Sequence, residues 1–429
     1  MRMYSQIYKK LNEREREGQA IKIAAVGTGF IGRGMIIQAS FMKGVRISLI
    51  YGRDMDKVRR IVKQCNHSLE YQECTSTAEL KAAQNNNKIA LVSDSNLIYE
   101  SDADIVVDTT GAPEFGARVA YNSILSGKHI VTNPEMDICI GPELKQMAQE
   151  HNVIYSGQDG DEPGVVKQLF DYVSILGFDI TALGKFKNFT DIHATPTSVK
   201  PWSDAYKQNP YKISSFADGT KMNIEMGLVS NATGYLPDVR GMHGHNMSID
   251  EIVNRIKPKE EGGILHKNKV IEIIPGAEPS GGVFVIGHSN HPQVIDDMQY
   301  YKMGTGPYYL FYRPYHLCSI EILVGAVNMV LNRESTIEPI AERPLVDVAT
   351  FAKRPLKKGE RLDCIGGYDY YGLVDNYSTY RKENALSVSL AENAIVTRDI
   401  AQDEILTMND VEIEKDNFLW EIAQKRYEK

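Results

Sequence analysis

The sequence predicts an α/β fold in three parts, and three observations support this prediction. An apolar, strand-like run leads into a glycine-rich turn within residues 21–34. Loop-rich segments of mixed charge follow from about residue 158, and the end of the chain carries a weak internal repeat. We therefore expect a parallel α/β domain, a central α+β catalytic domain and a small β-rich module, at residues 1–157, 158–340 and 341–429.

The glycine-rich segment reads IKIAAVGTGFIGRG over residues 21–34. Gly27 permits a tight turn, Gly29 lets the backbone approach a phosphate, and Gly32 lets the next helix sit against the strand. A second strand-like run, Val45–Tyr51, follows at the expected distance. The pattern predicts a Rossmann domain that holds a dinucleotide pyrophosphate at the positive end of a helix. The predicted contacts are Gly27, Gly29, Phe30, Ile31 and Gly32.

The end of the second strand distinguishes between the two nicotinamide cofactors. An acidic side chain there accepts from the ribose hydroxyls of NADH, whereas an arginine pairs with the 2′-phosphate of NADPH. The strand ends in Tyr51, Gly52 and Arg53, and Asp54 comes one residue late. We therefore predict NADPH, with Arg53 on the phosphate. The alternative is an arginine solvated in a loop.

Two later strands add predicted cofactor contacts. The strand at 104–107 leads into DTTG, and the strand at 129–132 ends in a polar tip. Ligands of open parallel sheets bind at the carboxyl ends of strands. We expect contacts to the dinucleotide from Thr109, Thr110, Gly111, Asn133 and Glu135.

Composition indicates a soluble enzyme. The chain has 429 residues, of which 42% are hydrophobic, and a net charge of −8. Its apolar runs fall well short of the ~20 residues that a membrane span needs. No long basic block is present to bind a phosphate backbone. The five cysteines are widely spaced and lack a CxxC pair, so we expect reduced thiols. We expect a cytoplasmic protein without nucleic-acid or membrane partners.

Two helices and one repeat complete the organisation. Residues 3–17 have helical apolar spacing, which predicts a helix that packs on a neighbouring domain or subunit. The apolar run at 313–331 predicts a buried helix that closes the core of the central domain. Residues 354–362 align with residues 398–406 at a separation of 44, which predicts two hairpin-like units. This β-rich tail resembles SAF-type modules.

Several motifs together resemble one family, the homoserine-dehydrogenase-like oxidoreductases. The likeness spans nearly the whole chain and is strongest to the branch of alternative 1-deoxy-D-xylulose 5-phosphate reductoisomerases. It implies an NADPH-dependent homodimer or homotetramer that forms 2-C-methyl-D-erythritol 4-phosphate. Where homoserine dehydrogenases carry an asparagine–lysine pair, this chain reads Asn133-Pro134-Glu135, so homoserine is not the expected substrate. The motifs are GTGFIGRG, DTTGAPEFGARVA, GKHIVTNPEMDICIGPEL, GDEPGVVKQLFDYVSILGF, GKFKN, FADGTKMNIEM, NATGYLPDVRGMH and LFYRPYHLCSIE.

Reduction of a carbonyl needs a proton donor beside the developing alkoxide, and lysines are the first candidates. Lys185 and Lys187 are two residues apart, so both point one way if this stretch is a strand. The alternative is a solvated edge strand. Lys221 is predicted as catalytic, and the alternative is a plain ion pair with Glu225 one helical turn on.

A rearrangement before reduction would need a divalent cation, Mg²⁺ or Mn²⁺, on neighbouring oxygens of the substrate. Asp218, Glu225 and Asp238 are predicted as ligands or bases for this step. Asp218 precedes a glycine and Asp238 follows a proline, so turn formation is the structural alternative for both.

Anionic or hydroxyl groups of the substrate have candidate partners in two loops. Asp161 and Glu162 begin a predicted helix, where capping is the alternative to binding. Arg240 and His243 form a cationic group suited to an anion. His243 and His245 alone do not make a transition-metal site, because the sequence identifies no third ligand.

Three functions remain open at this point. The first is the reductoisomerase, and the second is a simple dehydrogenase of a small hydroxy acid or branched sugar acid. The third is a non-catalytic NADPH-binding regulator that acts through its tail. Substrate assays with and without the divalent ion distinguish the first two, and NADPH binding without turnover would favour the third.

Overall fold

A computed structural model describes residues 2–66, 69–188 and 190–427. The chain forms two compact units. The first contains the residues up to Asp161 together with Leu317–Glu338, and the second contains Glu162–His316 and the residues from Pro339 onward. This division differs from the predicted boundaries. The segment Leu317–Glu338 belongs to the first unit, and the β-rich tail belongs to the same unit as Glu162–His316.

The first unit is built on a seven-stranded parallel sheet. Its strands are β1 (Ile21–Val26), β2 (Val45–Tyr51), β3 (Tyr71–Glu73), β4 (Ile89–Val92), β5 (Ile105–Asp108), β6 (His129–Val131) and β7 (Tyr155–Ser156). Its helices are α1 (Arg2–Glu17), α2 (Phe30–Ala39), α3 (Met55–Val62), α4 (Thr77–Asn85), α5 (Asn96–Tyr99), α6 (Pro113–Leu125) and α7 (Pro134–Glu150).

The strand order is β3-β4-β2-β1-β5-β6-β7, so the direction of winding reverses at β1. Such a reversal opens a crevice beyond the carboxyl ends of the central strands, where α/β proteins bind their ligands. The strands are short apolar runs with buried residues throughout β4 and β5, as expected of a sheet covered on both faces. The predicted Rossmann-type α/β fold is confirmed.

The first helix packs on its own unit. Ile7 and Leu11 of α1 lie in the buried core that also contains β1 and β2. Lys10 donates a hydrogen bond to the Asn332 side chain at 2.5 Å. The predicted apolar spacing is therefore right, and it serves the core of this unit.

The second unit contains a five-stranded sheet of order β12-β11-β8-β10-β9. β8 runs parallel to β10, and β11 runs antiparallel to both β8 and β12. The strands are β8 (Asp179–Lys187), β9 (Leu236–Pro237), β10 (Val270–Pro275), β11 (Val283–His288) and β12 (Tyr308–Arg313). The helices are α8 (Glu162–Ile175), α9 (Lys200–Tyr206), α10 (Pro210–Ala217), α11 (Thr220–Thr233), α12 (Ile252–Arg255) and α13 (Pro292–Tyr300).

The next helix, α14 (Cys318–Asn332), belongs to the first unit. Ile322, Leu323 and Ala326 are buried in the same core as β1, and the helix packs against α2. The sequence predicts a buried helix here, which is right, but places it in the core of the central domain. Apolar periodicity shows that a face is buried and does not show what buries it.

The tail contains two antiparallel pairs of short strands. Residues 354–362 and 398–406 meet at Leu356 and Ile400, which exchange two backbone hydrogen bonds of 2.9 and 3.0 Å. Arg354 pairs with Glu360, and Arg398 makes the equivalent pair with Glu404, both at 2.8 Å. The repeat read from the sequence is therefore a structural repeat. Its elements are β13 (Val346–Ala352), β14 (Tyr370–Asn376), α15 (Tyr377–Glu383), β15 (Ile395–Val396), β16 (Val411–Glu412) and α16 (Phe418–Ala423).

All five cysteines are free thiols, as expected. Among the described helices, none is long and apolar enough to cross a bilayer.

Candidate active site

The glycine-rich turn after β1 has the backbone conformation that a dinucleotide site requires. Gly27 has φ +103°, a left-handed value that favours glycine. A Cβ on Gly32 would lie 2.2 Å from the Gly27 carbonyl oxygen, so α2 packs this closely only because residue 32 is glycine. A Cβ on Gly29 would meet no atom within 4 Å. The three glycines therefore have three different tasks, and the open side of Gly29 lets a phosphate approach the backbone.

Helix α2 begins directly after this turn, and Gly29 at its N-cap offers no side chain to the first N–H groups. The positive end of the helix therefore points at the turn without a side-chain acceptor. Phe30 is exposed and Ile31 is partly buried at the start of the helix. This arrangement can bind a pyrophosphate.

The end of β2 carries Arg53 in an exposed position. Asp54, the one nearby carboxylate of the turn, accepts a hydrogen bond of 2.9 Å from the Lys57 backbone as the N-cap of α3. Because this carboxylate caps the helix, Arg53 is the candidate at this strand tip for a cofactor phosphate. The geometry matches the argument for a 2′-phosphate, and the role of Arg53 stays a prediction.

The carboxyl end of β5 is braced by side-chain hydrogen bonds. Thr109 Oγ1 donates to the Val26 carbonyl at 3.0 Å, and Thr110 Oγ1 donates to Asp108 at 2.7 Å. Gly111 has φ +62°. Burial raises the pKa of Asp108 to about 6, although the Thr110 bonds oppose this shift. These contacts fix the turn next to the glycine-rich segment.

Asn133 and Glu135, also predicted as cofactor contacts, are both buried at the start of α7. Asn133 Oδ1 caps α7 by accepting from the Met136 backbone at 3.0 Å, and its Nδ2 donates to Asp108 Oδ2 at 2.5 Å. The structure thus gives Asn133 a task in the fold, and contact of these two residues with a cofactor stays a prediction.

In the second unit, three lysines, two glutamates and a histidine form one group, which we call the lysine–glutamate cluster. Lys185 Nζ lies 2.7 Å from Glu162 Oε1 and also pairs with Glu225. Lys187 Nζ lies 3.7 Å from the same Glu162 oxygen. Lys221 Nζ lies 3.9 Å from Glu225 Oε1. The members are Glu162, Lys185, Lys187, Lys221, Glu225 and His316.

Local geometry explains how the sequence assembles the cluster. Lys185 and Lys187 lie two residues apart on β8 and so share one face of the sheet, as predicted. Lys221 and Glu225 lie one turn apart on α11, also as predicted. Glu162 is the first residue of α8, where the helix dipole favours a carboxylate.

Neighbouring charges determine the charge states of two buried members, Lys185 and Glu162. Burial alone would lower the pKa of Lys185, but Glu162 and Glu225 raise it above its usual value. Burial alone would raise the pKa of Glu162, but Lys185, Lys187 and His316 hold it well below its usual range. At neutral pH, Lys185 is therefore an ammonium ion and Glu162 a carboxylate.

Three members of the cluster reach solvent. The side chains of Lys221, Lys187 and His316 are 11%, 19% and 22% exposed, whereas Lys185 is fully buried. His316 Nδ1 lies 2.5 Å from the Gly281 carbonyl, which leaves Nε2 facing Glu162 at 3.4 Å. The accessible ends of Lys221 and Lys187 are ammonium groups. The accessible atoms therefore suit an anionic ligand.

Asp218 does not join this cluster. Its Oδ2 accepts a hydrogen bond from Lys353 Nζ at 2.8 Å, and its Oδ1 accepts from the Thr220 backbone at 2.8 Å. Lys353 also donates to the Ala194 and Gly367 carbonyls. Burial raises the pKa of Asp218, although Lys353 opposes the shift. The geometry gives Asp218 a structural task within this unit, where the sequence predicts a catalytic one.

Asp238 and His243 lie in the loop that follows β9. Asp238 Oδ2 is 2.8 Å from His243 Nε2 and 3.0 Å from His266 Nδ1. Among the described residues, Asp218, Glu225 and Asp238 do not share a cation site. The set of three carboxylates predicted for Mg²⁺ or Mn²⁺ is therefore not formed, because each has other partners.

The remaining predicted residues also have partners. Arg240 pairs with Asp375 at 3.0 Å and with Glu383 at 2.7 Å, so its guanidinium is tied to the tail. Asp161 Oδ1 accepts a weak hydrogen bond from Cys318 Sγ at 3.4 Å. Binding of substrate by either residue stays a prediction.

Three residues of these groups, His316, Lys353 and His266, are not among the site residues that the sequence predicts. His316 is preceded by RPY and opens an apolar run, which gives no chemical signal. Lys353 and His266 lie 135 and 28 residues from their carboxylate partners. Pairings over such distances are not visible in local spacing.

Residues 160–322 match the family model described as the catalytic domain of oxidoreductase DRL. This segment contains the whole lysine–glutamate cluster and supports assignment of the chain to the oxidoreductases. No curated protein matches the sequence.

Three solved structures illustrate the likeness to known folds. A "probable dehydrogenase" from Thermotoga maritima is 11% identical, with a TM-score of 0.42 over 73% of this chain and 90% of that one. Scyllo-inositol dehydrogenase from Lactobacillus casei, with bound NAD(H) and scyllo-inositol, is 16% identical, with a TM-score of 0.41 over 74% and 90%. A 3-ketoreductase from Actinomadura kijaniata, in complex with NADP, is 12% identical, with a TM-score of 0.38 over 74% and 91%.

Proposed function

We propose that this protein is an NADPH-dependent oxidoreductase that reduces the carbonyl group of a small phosphorylated or carboxylated polyol. One observation carries the proposal: a partly accessible cluster of three lysines lies within the segment that matches an oxidoreductase catalytic domain. The proposal assigns cofactor binding to the first unit and substrate binding to the second.

The glycine-rich turn supports the cofactor. Its residues fit a dinucleotide, because Gly29 leaves the backbone open and α2 presents uncapped N–H groups. Arg53 would pair with the 2′-phosphate, since Asp54, the acid next to it in the chain, caps α3. NADPH, when bound, supplies the hydride to the carbonyl carbon.

The cluster supplies the remaining chemistry. Lys221, whose side chain is partly accessible, donates a proton to the carbonyl oxygen as the alkoxide develops. Lys187 binds the anionic group of the substrate. Lys185 is fully buried and cannot touch the substrate, so it positions the two carboxylates. Glu225, whose Oε1 lies 3.9 Å from Lys221 Nζ, favours the ammonium form of Lys221, and Lys221 regains its proton from solvent at its partly exposed end.

The most specific candidate is the reductoisomerase that the sequence resembles, with 1-deoxy-D-xylulose 5-phosphate as substrate. Its rearrangement step would call for a divalent ion. The three carboxylates predicted for that ion, Asp218, Glu225 and Asp238, do not meet among the described residues. A direct reduction without rearrangement uses the same lysines and is separated from this candidate by its product.

The test is NADPH oxidation by the purified protein with 1-deoxy-D-xylulose 5-phosphate, in Mg²⁺, in Mn²⁺ and without either ion. Lys221→Ala should lower turnover about 10²- to 10⁴-fold, as expected for loss of a general acid, and keep its affinity for NADPH. Lys200→Ala is the matched control, because Lys200 is an exposed lysine of the same unit that pairs with Asp204 on its own helix.

Two outcomes would eliminate a function, and a variant of Arg53 tests the choice of cofactor. No NADPH oxidation with the ketose in any ion eliminates the reductoisomerase but leaves other polyols. Absence of NADPH and NADH binding in calorimetry eliminates the oxidoreductase. Arg53→Ala should weaken NADPH binding about 10- to 100-fold with little effect on NADH, as expected for loss of a charge-assisted contact. An unchanged preference would remove Arg53 from the site.

A further inference from the structure

The group formed by Asp238, His243 and His266 is separate from the lysine–glutamate cluster. Glu272 of β10 is paired with Gly184 of β8, so its side chain lies on the opposite face of the sheet from Lys185. The Glu272 carboxylate accepts hydrogen bonds from the His243 and Gly244 backbones at 3.1 and 3.0 Å. The loop that carries His243 is therefore held on that opposite face.

The ligand atoms of this group converge. Asp238 Oδ2 lies 2.8 Å from His243 Nε2 and 3.0 Å from His266 Nδ1. All three atoms lie within 4.8 Å of one another. A tetrahedral Zn²⁺ with ligands at ~2.0–2.1 Å needs them about 3.3 Å apart. Each imidazole nitrogen would move a few tenths of an ångström away from Oδ2, and the two nitrogens, which lie within 4.8 Å of one another, would adjust to the same spacing.

A second observation points to a missing partner. The Asp238 side chain is only 1% exposed, yet its Oδ1 is buried without a hydrogen-bond partner among the described residues. Oδ2 of the same carboxylate accepts from His243 Nε2, His266 Nδ1 and the His266 backbone. A buried carboxylate oxygen without a partner costs free energy unless something binds it. A cation beside the two imidazoles that binds both oxygens of this carboxylate would satisfy it.

We propose that Asp238, His243 and His266 form a binding site for a divalent transition-metal ion, with Zn²⁺ as the best match. Two imidazole nitrogens and one carboxylate suit Zn²⁺ far better than Mg²⁺, which prefers oxygen ligands. His266 is 52% exposed, so the fourth position is open to water. The ion would tie the segment after β9 to the segment before β10. This proposal does not depend on the proposed function.

The positive charge of one neighbouring side chain, Lys259, disfavours binding of a cation at this site. Lys259 Nζ lies 2.6 Å from His266 Nε2. When Nδ1 binds a metal, the proton of the neutral ring is on Nε2, which then faces the lysine donor. Lys259 is exposed and can move away, but its position lowers the affinity. Removal of Lys259 should therefore strengthen metal binding.

The test is titration of the chelator-treated full-length protein with ZnCl₂ by calorimetry, and with CoCl₂ by visible absorption. We expect one tight site per chain, with the d–d bands of four-coordinate Co²⁺. His266→Gln should weaken binding by more than ~100-fold, because loss of an outer-shell partner alone costs 10- to 100-fold. Lys259→Met should strengthen it roughly two- to fivefold.

His291→Gln is the matched control, because His291 is an exposed histidine of the same unit at the start of α13. It should leave the Zn²⁺ affinity unchanged. Equal affinity of wild type and His266→Gln would overturn the proposal, and so would Co²⁺ spectra that lack four-coordinate bands. Circular dichroism of each variant verifies that a loss of binding is not a loss of fold.

Discussion

Replacement of Lys353 by methionine tests the structural task that the fold gives to Asp218. Both side chains are buried, and the Lys353 ammonium donates to Asp218 at 2.8 Å and to the Ala194 and Gly367 carbonyls at 2.8 and 2.7 Å. Methionine preserves most of the volume but leaves a buried carboxylate without its cation. Loss of one partner of a buried pair costs about 3–5 kcal/mol, so we expect the free energy of unfolding to fall by this amount.

The measurement is urea unfolding followed by circular dichroism at pH 7. The double variant Asp218→Asn/Lys353→Met removes both charges and should recover about 1–3 kcal/mol of the loss. Lys200→Met, which breaks an exposed pair of 3.0 Å with Asp204, is the control and should cost less than about 1 kcal/mol. A Lys353→Met protein within about 1 kcal/mol of wild type would refute the reasoning. If the double variant folds but shows no turnover, Asp218 has a catalytic task as well.

Three further predictions concern the first unit. Burial raises the pKa of Asp137 from 3.8 to about 6, so the native state binds its proton more tightly than the unfolded state between these values. Wild-type stability should therefore fall by up to roughly 3 kcal/mol as the pH rises from 4 to 6, and Asp137→Asn should remove this share of the fall in urea titrations; an unchanged slope would contradict it. A Cβ at Gly32 would lie 2.2 Å from the Gly27 oxygen, so Gly32→Ala should cost about 1–3 kcal/mol, measured by urea unfolding. Gly29→Ala meets no atom within 4 Å and should keep wild-type stability but lose NADPH affinity in calorimetry, and equal NADPH binding would exclude the turn as the phosphate site.

The predictions from sequence succeeded where a residue's task depends on its near neighbours along the chain. β1 and β2 are mostly apolar runs of strand length. β1 lies within the predicted segment 21–34, and β2 has the predicted bounds Val45–Tyr51. β3 was not identified, because its residues Tyr71–Glu73 are only partly buried or exposed and lack that signal. Helix α14 was identified as buried but placed in the wrong core, since its periodicity carries no information about its partner.

The same distinction holds in the candidate site. The shared direction of Lys185 and Lys187 and the pairing of Lys221 with Glu225 follow from strand and helix periods, so they were predictable. The approach of Glu162 to Lys185 was not, because two elements must first fold against one another.

The lysines of the second unit show why a list of chemically suitable residues is not yet a site. Lys185 and Lys353 are both almost fully buried, and each neutralises carboxylates, so composition and burial alone do not distinguish them. The difference lies in their surroundings. Lys353 is surrounded by two backbone carbonyls and one carboxylate, which satisfy all three of its N–H groups. Lys185 instead holds two carboxylates whose other partners, Lys187 and Lys221, reach solvent. A ligand that binds Lys187 or Lys221 would therefore change the electrostatic environment of the Lys185 ion pairs. Among the described residues, the partners of the Lys353–Asp218 pair include no such accessible lysine, and its task is to stabilise the fold.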